Sequence, residues 1–387
     1  MSLPIYFDNA ATTPLDNKVL QEMLPYLTDF FGNPSSTYSY GRSTRLAIES
    51  ARKTVARLLG VKPSTIFFTS GGTESNNTAI AASIRDLGCS HIITSEIEHH
   101  AVLHTVEYYS RQNQVSVSYV GLIANGNIDY SDLEYQLKEQ SNAGHKCLVS
   151  LMHANNEIGS ILDVKRVSEL CKNFNAIFHS DCVQTVGHYP LDLVDLGVHF
   201  ISGASHKFHG PKGVGILYVK EGLKINPLIY GGGQERNMRA GTENTYGIVG
   251  FAKALELAMT EFKKDSSYIG GLKTYMKKRL KETIPGVSFN GPDSSLYTVL
   301  SVGFPESPAS DSLLLTLDME GVCVSGGSAC SSGTNSGSHV IGALQNRNNS
   351  TTIRFSFSKY NTPGEIDQVI KILQESLLVK DATVVDD

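Results

Sequence analysis

Lys207, in SGASHKFHGPKGVGILYV, follows a strand-like run and leads into a glycine-rich turn. A lysine held in a partly desolvated pocket loses basicity, and its amine can then condense with an aldehyde. His206 precedes it, and Lys212 reads as an ordinary solvated lysine. Far upstream, SGGTESNNTAIAAS sets Ser70, Gly71, Gly72 and Thr73 between the strand IFFT and a helix. Two glycines let the backbone approach an anion, and a helix start offers unpaired N–H groups. The stretch reads either as a phosphate cup or as a plain N-cap by Thr73 with Glu74 in the first turn. Between these two places AIFHSD ends on Asp181, with Gln184 following. Such a carboxylate can pair with a protonated ring nitrogen of a cofactor, or can cap the next helix. In open α/β sheets ligands lie beyond the carboxyl ends of strands, and the order Thr73, Asp181, Lys207 in those positions is the layout of a pyridoxal phosphate site.

One further residue invites chemistry. SGGSACSSGT sets Cys330 among serines and glycines with nothing large to pack against. Cys147, Cys171, Cys182 and Cys323 lie in or beside strand-like and helix-like runs, where inert packing is expected. With no C-x-x-C pair, the six cysteines form neither a zinc pattern nor a secreted disulfide framework, and no metal is expected.

The elements that must position these groups alternate. STRLAIESARKTVARLLG places Ala47, Ala51, Val55 and Leu58 on one helical face, with Gly60 able to close the helix in a left-handed conformation. IFFT, HIIT, VSVSYV, CLVSLM, AIFHSD, VHFISG and VGILYV read as strands separated by helical segments, which predicts an α/β fold with a mainly parallel central sheet covered by helices on both faces. After about residue 260 the pattern becomes the amphipathic SYIGGLKTYMKKRLKET, the strands YTVLSVGF and TTIRFSF, and a helix from PGEIDQVI. Residues 15–260 are therefore expected to form a large domain, and residues 1–14 with 261–387 a smaller α+β domain carrying the cysteine loop, with a cleft between them. A net charge of -5 argues against nucleic acid or an anionic membrane as partner. MSLPIYFDNA has neither a basic leader nor an apolar core segment, so a cytoplasmic location is expected.

From YFDNAATTPL through FGNPSS, TSGGTESNN, EIEHHAV, MHANNEIG, HSDCVQTVG, SHKFHGPKGVG, GGGQERNMRAGTEN and SGGSACSSG to IRFSFSKYNTPGEID, the chain closely resembles the cysteine desulfurases of the class V, fold-type I pyridoxal phosphate enzymes. These serve iron–sulfur cluster assembly and nitrogen fixation. The resemblance implies a homodimer that takes L-cysteine to L-alanine and passes sulfur, as a persulfide, to an acceptor such as an iron–sulfur scaffold. It implies that Lys207 bonds the cofactor aldehyde, that His99 stacks on its ring and moves protons, and that His100 has no such role. Asp181 would partner the ring nitrogen, with Asn155 and Gln184 near the ring hydroxyl and Asn155 also near substrate. Gly72, Thr73 and His206 would contact the phosphate, and Thr242 would reach it from the other subunit. Arg354 would clamp the substrate carboxylate, and Cys330 would be the nucleophile.

The chain departs from the family pattern in three places. A serine usually stands three residues before the lysine. Here that position is Ala204, with Ser205 one place later, so Ser205 supplies the phosphate contact or the contact is lost. Tyr38 replaces a common histidine, and GTNSGSHV lacks the usual Leu-Glu-Pro. The readings competing with the desulfurase are a selenocysteine lyase, a class V aminotransferase, which has no need of Cys330, and a non-catalytic partner in cluster assembly.

Overall fold

The computed structural model describes residues 4–326, 338–344 and 350–378. Numbered along the chain, its strands are β1 (Ile5–Tyr6), β2 (Ile66–Thr69), β3 (His91–Thr94), β4 (Ser116–Tyr119), β5 (Cys147–Ser150), β6 (Ile177–Asp181), β7 (Phe200–Ala204), β8 (Gly215–Val219), β9 (Ser288–Asn290), β10 (Val299–Pro305), β11 (Val322–Cys323) and β12 (Ser350–Ser356). The large sheet has the order β2-β8-β7-β6-β5-β3-β4. Only β8 runs against its neighbours. The reversal follows from the short glycine-rich turn after Lys207, which has no helix to carry the chain back to the far edge. Strands β3, β5, β6, β7 and β8 are buried along their whole length, as strands covered on both faces must be.

The helix Ser39–Leu58 buries Thr44, Ile48, Ala51 and Val55. Its buried stripe is thus rotated slightly from the expected face, with Ala47 and Leu58 at its margin. Gly60 takes the expected left-handed conformation, φ 69°.

A three-stranded antiparallel sheet, β12-β10-β9, sits on a second core of Phe7, Leu300, Val302, Ile353, Phe355, Ile366 and Ile370. The amphipathic stretch expected after residue 260 is the second half of one unbroken helix, Thr245–Thr283. Its first half gives Ile248, Phe251 and Leu255 to the large core, and its second half gives Ile269, Leu272, Met276 and Leu280 to the small one. The change in pattern near residue 260 is therefore a change of the core being faced, within a single helix.

Beside the large sheet, Arg52 and Glu235 form a fully buried bidentate pair with both N–O distances at 2.7 Å. Arg52 also donates to the Ile66 carbonyl (2.9 Å), and Glu235 accepts the Phe68 amide (2.8 Å), so the pair pins β2. Removing one member strands a buried charge. Glu235→Ala is expected to destabilise the protein by about 3–5 kcal/mol, visible as a lowered thermal midpoint. A midpoint equal to that of the unsubstituted protein would show that β2 does not depend on the pair.

Candidate functional site

A cavity of about 250 Å³ opens where residues following the carboxyl ends of β2, β3, β5, β6 and β7 converge. Gly72, Thr73, His99, Asp181, Gln184, His206, Lys207 and Arg354 all line it. Sequence positions more than 280 residues apart thus meet at one place, as Gly72 and Arg354 do.

The helix Gly72–Arg85 begins with Gly71 as its N-cap and no capping side chain, so Thr73 is not the cap. Glu74 instead reaches back to the Ser70 amide (2.9 Å) and pairs with Arg239 (3.0 Å). The uncapped helix start is a ready anion site. Gly72 must be glycine for packing, since a Cβ there would lie 2.6 Å from Val183 Cγ2. Gly215 of β8 has the same constraint, because a Cβ there would meet the Gly71 backbone at 2.7 Å.

Asp181 ends β6, and its two oxygens divide the roles left open by the sequence. Oδ1 accepts the Val183 amide (2.9 Å), which stabilises the following turn. Oδ2 accepts from Asn76 Nδ2 (2.7 Å) at the cavity wall. The Asn76 Oδ1 atom is buried without a partner among the described residues, an acceptor left open where a ligand would lie. Lys207 Nζ donates to the carbonyls of Ala10 (2.6 Å) and Ala11 (2.8 Å). Those two carbonyls hold the amine at the cavity wall.

His99 caps the helix His100–Arg111 with its Nδ1, which accepts the Ala101 amide (3.1 Å). That bond leaves Nε2 to carry the ring proton. Burial lowers the basicity of His99; the Asp181 charge opposes this, and Lys207, His339 and His104 reinforce it. The imidazole is therefore neutral near pH 7. His100 stacks on His104 at 4.8 Å between ring centroids and lies 4.5 Å from the His339 ring, so it is not among the cavity residues.

Arg354, buried in β12, has its guanidinium fixed by Asp8 Oδ1 (2.7 Å), Ser325 Oγ (3.2 Å) and the Asn156 carbonyl (3.0 Å). Its Nε is buried without a partner among the described residues.

Two expected residues, Asn155 and Ser205, lie behind the wall, and Thr242, expected to act across a subunit interface, lies outside the cavity of its own protomer. Asn155 is buried behind the wall, its amide holding the Glu157 and Ile158 backbone N–H groups and the Ile97 carbonyl, and Asn156 lines the cavity instead. Ser205 is turned into the fold, where it donates to the Pro211 carbonyl, and Ala204 faces the cavity. Thr242 stands on a separate exposed depression with Ser70, Arg239 and Gly241. Gln184 is present at the wall, with its Nε2 on the Ala10 carbonyl (3.1 Å).

Cys330 lies outside the described residues. Both flanking segments meet the site. Ser325 bridges Arg354 backbone to backbone, Ser338 donates to the Glu157 carboxylate, and the His339 ring lies 2.9 Å from the Glu98 carbonyl. The other cysteines are unsuited to thiolate chemistry. Cys147 is pushed up to about 11, Cys89 and Cys182 to about 12, and Cys171 and Cys323 upward as well, in each case first by burial.

The Aminotransferase class-V family model matches residues 5–369. The chain belongs to the class-V aminotransferase family. Within that family it is 43% identical over 379 residues to the cysteine desulfurase IscS of Dictyoglomus turgidum, which covers 97% of this chain and 94% of the relative. It is 42% identical over 377 residues to the cysteine desulfurase IscS of Methanosarcina thermophila, covering 96% and 91%. Among solved structures, a NifS-like protein superposes with a TM-score of 0.88 at 39% identity, covering 97% of this chain and 100% of that one. The NifS-like protein of Rickettsia africae gives 0.85 at 30% identity, covering 96% and 99%. The class-V fold is accordingly the fold-type I arrangement expected from the sequence, a family of pyridoxal phosphate-dependent enzymes.

Asp8, Asn76 and Asn156 line or support the cavity and were not singled out in the sequence. Asn76 could have been found, because it lies one helical turn beyond Gly72. Asp8, in YFDNAA, carries no spacing that points to Arg354.

Six histidines, His153, His179, His188, His199, His206 and His209, are held down to about 4 in the class-V fold, each first by burial. An unfolded chain would protonate them near 6.5. Their contribution is complete above about pH 6.5 and is lost as pH falls towards 4, since the unfolded chain then binds more protons. Glu98 and Glu157, raised by burial, act in the opposite sense. The thermal midpoint of the cofactor-free protein is expected to fall steadily from pH 7 to pH 5, before most carboxylates titrate. A flat midpoint across that window would contradict the burial of these rings.

Proposed function

We propose that the protein is a pyridoxal phosphate-dependent cysteine desulfurase that takes L-cysteine to L-alanine and leaves the sulfur on Cys330 as a persulfide. The sulfur then passes to an acceptor such as an iron–sulfur scaffold. The observation that carries the proposal is the meeting of Lys207, Asp181, His99 and Arg354 at one cavity beside an uncapped helix start. The donor set suits the cofactor. Gly72, Thr73 and His206 offer an anion site, Asp181 a buried carboxylate for a ring nitrogen, Asn76 an open acceptor, and Lys207 an amine for the aldehyde. When bound, pyridoxal phosphate supplies an electron sink for bonds broken on the amino acid.

Arg354 binds the substrate carboxylate, and Asp8 orients the guanidinium for that task. Lys207 takes and returns the α-proton. Neutral His99, whose Nε2 carries its proton, serves proton movements near the departing sulfur. The Cys330 thiolate forms an S–S bond to the substrate sulfur as the Cβ–S bond breaks, and Cβ gains a proton in the place of sulfur. Cys330 is also the one cysteine set in a run of small polar residues.

We further propose a cytoplasmic homodimer. Phe31, Tyr38, Leu46 and Tyr230 are between 60% and 74% exposed, large apolar side chains of the kind a second copy would cover, and Thr242 would then complete the partner's phosphate site. Within each protomer, residues 15–260 are taken as the large domain, and residues 1–14 with 261–387 as the small one. Among the described residues no helix is long and apolar enough to cross a membrane.

Incubation with L-cysteine and a reducing thiol is expected to yield alanine and sulfide in equal amounts, and unequal yields would overturn the proposal. Lys207→Ala should fold yet lose both turnover and the visible absorbance of bound cofactor. Cys330→Ser should bind cofactor and cysteine but form no persulfide, because a serine hydroxyl is scarcely ionised near neutral pH and attacks sulfur poorly. Peptide mass after brief cysteine treatment of the unsubstituted protein should show one added sulfur on the Cys330 peptide. Added sulfur on Cys89 or Cys323 instead would refute the assignment. Asp8→Asn should raise KM for L-cysteine about tenfold with kcat little changed, the loss of one charge-assisted contact holding Arg354.

A further inference from the structure

Lys207 stands in a partition between two cavities. Beyond it lies a second cavity of about 40 Å³, and Ala10, Gln184 and Lys207 belong to the linings of both. These three residues are bonded together. Lys207 Nζ (2.6 Å) and Gln184 Nε2 (3.1 Å) both donate to the Ala10 carbonyl. The second cavity has room for about three waters.

Its polar lining is built to hold water. His188 Nδ1 lies 3.0 Å from the Gln184 carbonyl, and His209 Nδ1 lies 3.0 Å from the Pro14 carbonyl. A carbonyl accepts only, so each Nδ1 carries the proton and each Nε2 presents a bare lone pair. Neither Nε2 has a protein partner among the described residues. Both rings are held down to about 4 by burial, so they act as neutral acceptors near pH 7. Asp16 is engaged by Lys359 (2.9 Å) and by the Tyr360 hydroxyl (2.7 Å), and the Tyr297 hydroxyl by the His188 carbonyl (3.0 Å). Asp265 differs from these. It is half-buried at the cavity lining, its carboxylate has no hydrogen bond or ion pair with the described residues, and burial makes that carboxylate more basic than usual.

We propose that this back cavity holds a water cluster through which Lys207 exchanges its proton with solvent, with Asp265 as the port. The inference rests on the desulfurase reading for its purpose. While an amino acid fills the front cavity, the front face of Lys207 is covered, and exchange of its proton with solvent needs another route. One proton passes from the Lys207 ammonium to a cavity water, from water to the Asp265 carboxylate, and from there to bulk. Resupply reverses the path, and no electrons are transferred.

Two measurements test this. A high-resolution crystal structure of the cofactor-free protein should show ordered water between Lys207, His188 and His209, and a dry cavity would overturn the proposal whatever the enzyme catalyses. The second uses L-cysteine deuterated at Cα. The unsubstituted protein should return alanine with little of the label, because Lys207 exchanges before it returns the proton. Ala258→Leu, which fills the cavity, and Asp265→Asn, which removes the port, should each raise retained deuterium about fivefold with turnover within about twofold. If Ala258→Leu fails to fold, Asp265→Asn decides alone, and retention equal to that of the unsubstituted protein overturns the proposal. Failure to make alanine at all would refute the desulfurase reading, and the water measurement would still judge the cavity.

Discussion

Residues 5–13 hold the two halves of the site at a fixed separation, and the rest of the molecule is arranged around that tie. β1 pairs in parallel with β11, and the Ser356 amide donates to the Phe7 carbonyl (2.7 Å). Asp8 then grips Arg354, Ala10 and Ala11 accept from Lys207, and the Thr13 amide donates to the His206 carbonyl (2.9 Å). One short extended segment therefore sets the distance between the Lys207 amine and the Arg354 guanidinium. Loss of this segment would take Phe7 out of the second core and leave Lys207 and Arg354 without a common frame. Preorganisation of this kind matters because displacement by about 1 Å at a reacting centre can cost orders of magnitude in rate.

The helix Thr245–Thr283 performs the same task on the scale of the cores. At about 1.5 Å per residue its 39 residues span nearly 60 Å. Because its two halves are packed in different cores, any rotation of one core against the other must bend a continuous hydrogen-bonded rod. The site between the cores is thus stiffly held, and Ser325 and Ser338 are each tied down beside it, by Arg354 and by Glu157.

Much of this could be read from the sequence, and the parts that could not share a physical cause. The strands of the large sheet and the residues just beyond them, Gly72, Asp181 and Lys207, were legible because an open α/β sheet places its chemistry by a rule that local patterns reveal. The reversed β8 was not, since VGILYV has the same composition as a parallel strand and its direction depends only on the length of the preceding turn. Ser205 and Asn155 show a different limit. A motif gives the residue and its neighbourhood, but one position along the chain decides whether a side chain faces the cavity or the core, and Ala204 and Asn156 took the cavity-lining positions. Asp8 was invisible for a third reason, because its partner is 346 residues away and no local spacing encodes such a contact.

That separation has a consequence for synthesis. The segment that organises the site is made some 346 residues before Arg354 and Ser356, the residues it must grip. At the usual 5–20 residues per second, the Asp8 side chain waits roughly 20–70 s for its partner. During that interval the large sheet can form around its own local contacts while the amine of Lys207 lacks a finished pocket. A nascent chain therefore has no finished site until Arg354 and Ser356 have been made.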